Sequence, residues 1–241
     1  MVFGCEVLKI YFKMKPKLTK DLLEFSEKKL ISDKIRILEI VAVIFTAIGK
    51  FVFMDFLDFR LPFVVLVIVA WSIYVIYRYK QEENILKYWG FRTDNFKKTV
   101  KLMLPFAIIS IILFIVIGFY QNTINLTWHL LPLLITYPIW GSIQQFITIA
   151  LIAGNLNDFN KRKLNKFSII FITAFLFSIV HFPSIWLMIG TFLLALFYGY
   201  IYLKMKNIYA MGIFHGWLGA IFYYTVVNRD PFQEVFLNFL S

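Results

Sequence analysis

Seven apolar runs separated by short polar stretches dominate the sequence: about Ile37–Phe56, Leu61–Tyr77, Val100–Tyr120, Trp128–Ala153, Phe167–His181, Ser184–Leu203 and Tyr209–Val227. Each is close to the ~20 residues that a helix needs to cross a bilayer. Charge alternates between the connections. The second carries Arg78, Lys80, Lys87, Arg92, Lys97, Lys98 and Lys101, the fourth carries Lys161, Arg162, Lys163 and Lys166, and the sixth carries Lys204 and Lys206. The third (121–127) and the fifth (Phe182, Pro183) carry no charge, and the first balances Arg60 against Asp55 and Asp58. Basic loops stay in the cytoplasm. The pattern therefore predicts an all-α, polytopic transmembrane helical bundle of about seven spans, with the N-terminus cytoplasmic and the C-terminus outside. One missed span would reverse the alternation downstream of it.

Composition supports that class. The chain has 241 residues, is 60% hydrophobic and has a mean hydropathy of +0.74, against the ~45–50% apolar of soluble domains. The net charge of +11 would suggest nucleic acid in a soluble protein. Here the basic residues lie between apolar runs, so they report topology and contact with anionic membrane lipid, and no nucleic-acid motif is present. The single cysteine, Cys5, excludes an internal disulfide and a cysteine-based metal cage. The expected localisation is the cell membrane, multi-pass.

Residues 1–36 hold nine Lys or Arg together with five acidic residues. They form a cytoplasmic basic arm, not a cleavable signal, because no short apolar core with a cleavage site follows. Leu18–Leu30 reads equally well as an amphipathic surface helix or as a solvated arm. The transmembrane bundle then occupies 37–241. Phe232–Leu240 is short but could lie on the outer interface.

Polar side chains inside the runs are few. Gln144 and Gln145 stand together in YPIWGSIQQFITIALIAGN, Tyr137–Asn155, and a buried amide is costly unless hydrogen-bonded. Two roles are open: interhelical glue, or part of a polar site facing the bundle interior. Of three histidines, His129 starts span four beside Trp128 and reads as interfacial. His181 ends FSIVH on span five, and His215 lies in GIFHGWLGA on span seven, flanked by Gly212, Gly216 and Gly219. Taken singly, each imidazole has a structural explanation. Two Gln and two His on three helices together resemble a bundle-core site. Imidazole suits Zn²⁺, and His181 and His215 with an oxygen ligand and a water would make an open site, although no local metal motif exists.

The ordered motifs are similar to those of the intramembrane endopeptidases that include the CAAX prenyl proteases and the bacteriocin-processing or self-immunity proteins (the CPBP or Abi family). Family members carry EExxxR, then FxxxH, then HxxxN or HxxxD on successive helices. QQFITI, Gln144–Ile149, stands in the first position. FSIVH, Phe177–His181, matches the second outright, and HGWLG, His215–Gly219, matches the third in its His. The family-like core is 128–227. The resemblance implies peptide-bond hydrolysis in or near the membrane, with a glutamate activating water and histidines polarising the carbonyl. It further implies a peptide, prenylated or bacteriocin-like substrate. Carried over, Gln144 and Gln145 take the two Glu positions, Ile149 the Arg and Gly219 the Asn or Asp.

These departures change the chemistry. A general base must accept a proton; a neutral amide orients a water but does not deprotonate it. Ile149 cannot neutralise a carboxylate, and an Arg left there without one would be a buried unpaired charge. The changes read as one coupled conversion to a neutral site. Two functions follow as expectations: a peptidase using His181 or His215 as base, or a catalytically silent member that binds a peptide or lipopeptide as an immunity or regulatory protein. One geometric tension accompanies both. At ~1.5 Å per residue, His181 lies ~22 Å from Lys166 and His215 only ~13 Å from Lys206. For the rings to share a site, tilt or offset must remove about 10 Å.

Overall fold

The computed structural model describes residues 31–159 and 163–237. The expected helix at Leu18–Leu30, the lone Cys5 and the end of the tail lie outside the described residues. Among the described residues the chain is helical throughout: α1 (Asp33–Phe56), α2 (Arg60–Gln81), a short α3 (Ile85–Trp89), α4 (Phe96–Gln121), α5 (Leu130–Asp158), α6 (Lys166–Ile179), α7 (Ile185–Met205) and α8 (Ile208–Val227). Six of these are long and apolar enough to cross a membrane. The exception is α6: its 14 residues give ~21 Å of rise against a hydrocarbon core of ~30 Å. It stops early because a tight turn follows, closed by His181 N–H to Ser178 O and Ser184 N–H to His181 O, with Pro183 unable to donate.

Three helices hold wide-turn segments with i→i+5 bonding. The longest, Phe146–Gly154, begins directly after Gln145 in α5. Such insertions recur at functional sites, and this one is buried along nearly its whole length.

Small residues bring α5 and α8 into backbone contact. A Cβ added to Gly212 would fall 1.9 Å from Ser142 Oγ, and one on Gly216 would fall 2.3 Å from Pro138 N. No larger side chain fits at either place without separating the helices. This seam sets the middle of α8 against the Gln pair. Both ends of α8 are pinned. At its start the Asn207 side chain accepts from Ala210 N–H (2.9 Å) and donates to Arg92 O (2.8 Å) and Asn95 Oδ1 (2.6 Å). Near its end, Asn125 N–H donates to Tyr224 O (2.8 Å) and Thr123 Oγ donates to Thr225 O (2.6 Å).

A layer of buried charge lies at the end that carries the basic loops. Arg36, Glu39, Arg78, Asn155 and Asp158 are each at most 3% exposed. Glu39 accepts from Tyr74 OH and from Asn155 Nδ2 (2.6 Å). Arg36 donates to Tyr88 OH, which donates to Asp158 (2.8 Å), and Lys206 reaches the same carboxylate (3.3 Å). Glu39 therefore joins the bundle core, and the first two helices are not purely apolar. At the opposite end Lys50 pairs with Asp55 (2.6 Å) and caps Phe182 O (3.1 Å).

Candidate functional site

The two glutamines and His215 form one hydrogen-bonded unit. Gln145 Nε2 lies 3.1 Å from His215 Nδ1, and His215 Nε2 lies 2.9 Å from Gln144 Oε1. The NH₂ group can only donate, so Nδ1 accepts; Nε2 then carries the proton and donates to Gln144. The imidazole is neutral and both of its nitrogens are engaged. Consecutive helical residues diverge by about 100°, and a ring with nitrogens on two edges bridges that divergence. Gln145 is fully buried and His215 nearly so. The Gln145 Oε1 atom has no partner among the described residues.

His181 joins the same place from α6. Its Nδ1 lies 2.8 Å from Phe177 O. A carbonyl only accepts, so Nδ1 carries the proton and Nε2 keeps its lone pair. Phe177 is buried between the two imidazoles, its ring centroid 5.1 Å from His181 and 5.7 Å from His215. Both imidazoles lie against the one Phe177 ring and line the same cavity, so the rings come together despite the offset expected from helix lengths.

Gln144, His181, His215 and Gly219 line one cavity of about 110 Å³, with Tyr137, Trp140, Thr191 and Tyr223 as its other polar walls and Leu187, Leu194 and Phe222 among its apolar ones. Gln145 does not line it. No Asp, Glu, Lys or Arg does either. A Cβ on Gly219 would meet nothing within 4 Å, so the position where the resemblance expects Asn or Asp is open space. Ile149 is fully buried among core residues.

A zinc ion does not fit these donors. A catalytic Zn²⁺ takes three protein ligands. Both nitrogens of His215 are committed to amides, only His181 Nε2 is uncommitted, and no group of three or more His, Cys, Asp or Glu comes together among the described residues.

His129 is elsewhere. Its Nδ1 lies 2.6 Å from Asp230, which also accepts from Tyr224 OH (2.7 Å), Thr127 Oγ (3.1 Å) and Gln233 N–H (3.0 Å). This clasp ties the segment after α8 to the start of α5. Sequence reasoning passed over Thr191, a cavity residue whose one signal is a hydroxyl within an apolar run, and over the α3 residues that complete the buried charge layer.

With this geometry in hand, residues 151–221 match the family model of Rce1-like type II CAAX prenyl endopeptidases. Over that stretch the chain is similar to the CAAX proteases. The match spans less than a third of the 241 residues. It holds Phe177, His181, His215 and Gly219 and begins beyond Gln145. Neither a curated protein nor a solved structure gives a match. The apolar helices make the chain a multi-pass membrane protein, and the match makes it CAAX-protease-like over residues 151–221.

Proposed function

We propose that this chain is a catalytically silent CAAX-protease relative that binds a peptide or lipopeptide segment in its cavity, in the manner of a membrane immunity or regulatory protein. The observation that carries the reading is the closed Gln145–His215–Gln144 unit in a cavity without a carboxylate. Hydrolysis needs a group that takes a proton from water. Gln144 cannot take it, and His215 has its accepting nitrogen filled by Gln145. The same groups suit recognition: an amide and a neutral imidazole on an apolar wall offer hydrogen bonds to a peptide without charge. A cavity of about 110 Å³ is somewhat smaller than the ~150 Å³ that accepts a benzene ring, and so admits one aliphatic side chain, with the peptide backbone at its mouth.

The free lone pair of His181 Nε2 favours a second reading, in which His181 itself is the base of a slow peptidase. Purified full-length protein in lipid nanodiscs separates the two. The silent reading expects a quenched peptide to bind and remain intact. Cleavage by the wild-type chain that disappears with His181→Ala would overturn it in favour of the second.

A further inference from the structure

The cavity is placed asymmetrically in the bundle. Counted from the ends carrying the uncharged loops at ~1.5 Å per residue, Leu187 lies ~3 Å in along α7, Tyr223 ~6 Å in along α8 and Phe114 ~10 Å in along α4. Its floor is the Gln144–His215 pair, ~21 and ~18 Å in by the same count, near the middle of a ~30 Å core. His181 lies just past the end of α6, in the turn that holds Phe182 and Pro183. No lining residue lies near the basic-loop end, where the layer of Arg36, Glu39, Arg78 and Asp158 closes the bundle. Since basic loops face the cytoplasm, the cavity reaches from the outer interface to mid-membrane.

The wall chemistry restricts what enters. No charged side chain lines the cavity. The cations around the mouth are already paired: Lys50 with Asp55 and Phe182 O, and Arg229 and Arg60 with Glu234. A free C-terminal carboxylate would be desolvated there without a counter-ion, which is prohibitive. An internal, uncharged, apolar segment loses only amide hydration, and Gln144, His181 and Thr191 can restore its hydrogen bonds.

We propose that the cavity is served from the outer side of the membrane and takes an uncharged apolar peptide segment, not a free chain terminus from the cytoplasm. This rests on the peptide-binding reading above, and its test separates the two. In a Cys5→Ser background, single cysteines are introduced by Gly219→Cys, where the added side chain meets open space, and by Leu187→Cys at the mouth. Asn125→Cys serves as the outer reference and Lys87→Cys as the inner one, both at exposed positions. Intact cells are treated with a membrane-impermeant maleimide. The expected result is that both cavity cysteines label with the Asn125→Cys reference, while Lys87→Cys labels only after permeabilisation. Acetyl-trileucine amide is expected to slow labelling of Gly219→Cys, and its free-acid counterpart to do so much less. Cavity labelling that requires permeabilisation, or Lys87→Cys labelling in intact cells, overturns the sidedness. Should the Gly219→Cys variant fail to accumulate, Leu187→Cys carries the same comparison. Labelling from outside with no protection by either peptide leaves the sidedness standing and removes the peptide-binding reading.

Discussion

Replacing Gln144 by Glu is the most direct test of whether this site is a protease site with its base removed. In the wild-type chain His215 Nε2–H donates to Gln144 Oε1 over 2.9 Å. A carboxylate oxygen in the same place keeps that bond, and the second oxygen replaces the NH₂ group on a residue that lines the cavity. Two properties are new: the group can accept a proton, and it does so only when ionised in a cavity that no cation lines, so the rate is read across pH up to values that ionise it. A positioned general base supplies typically ~10²–10⁴-fold in rate, or about 2.7–5.4 kcal/mol at 1.36 kcal/mol per decade. Gln144→Glu is therefore expected to raise peptide cleavage by about two to four decades over the wild-type baseline. The assay is single-turnover cleavage of an internally quenched apolar peptide by the full chain in nanodiscs, with thermal unfolding to confirm the fold. The neighbouring change is the control. Gln145 supplies a donor to His215 Nδ1 (3.1 Å) and does not line the cavity. Gln145→Glu removes that donor and confronts a lone pair with a carboxylate. It is expected to destabilise by about 1–3 kcal/mol without adding cleavage. If the wild-type chain already cleaves and Gln144→Glu leaves the rate unchanged or lower, the silent-site reasoning is refuted.

The glycine seam makes a paired prediction: Gly212→Ala drives a methyl into Ser142 and should lower thermal stability by at least ~1–3 kcal/mol, whereas Gly219→Ala meets open space and should be neutral or gain up to ~1 kcal/mol from helix propensity; equal effects would contradict the seam. Ile149→Arg alone buries a cation in a fully enclosed place and should cost ~3–5 kcal/mol, with partial recovery when combined with Gln144→Glu; a double-mutant cycle measures the coupling, and zero coupling would mean that the two positions do not communicate. The clasp after α8 should respond to acid. Burial alone would raise the Asp230 pKa, but hydrogen bonds from Gln233 N–H, His129, Tyr224 and Thr127 outweigh it and hold the carboxyl at about 2, below its ordinary 3.8. A depressed carboxyl stabilises the folded clasp above 3.8 and loses that contribution as pH falls towards 2. A spin label at Gln233→Cys in a Cys5→Ser background should stay immobile at neutral pH and loosen only in that acid window; loosening already near neutrality would show that the carboxylate is not what holds the clasp.

The span pattern and the site were legible for different reasons. Helices that face lipid must be apolar over a fixed length, so hydropathy and loop charge located α1, α2, α4, α5, α7 and α8 within a few residues of the expected runs. His181, His215 and the Gln pair stood out because polar groups are rare at that depth. Their hydrogen-bond pairing was not legible, since it depends on the α5–α8 contact at Gly212 and Gly216, and three glycines near His215 fix no partner helix by themselves. The shortness of α6 was hidden as well, because the apolar run continues through Ser178–Phe182 while the backbone turns. The place of Glu39 in the core was not legible either: its partners Tyr74 and Asn155 lie 35 and 116 residues away in the chain, a pairing that local pattern does not encode.

The charge layer and the neutral site are connected through α5. Asn155 and Asp158 sit at its inner end in the ionic layer, while Gln144 and Gln145 sit at mid-depth, separated from them by the buried wide-turn segment Phe146–Gly154. Ionisable groups are thereby gathered at the basic-loop end, where they are buried and pair with one another, and the stretch between them and the cavity carries no ionisable side chain. In an active family site the resemblance would place a carboxylate pair just before that stretch, at Gln144 and Gln145, and an arginine within it, at Ile149. Here Ile149 packs as an ordinary core residue, so no counter-charge waits for a carboxylate. The amides are then not a damaged remnant inside an otherwise charged site. The surroundings of all three positions are neutral, as the proposed silent, peptide-binding role requires, whereas loss of a single catalytic residue would leave its charged partner in place.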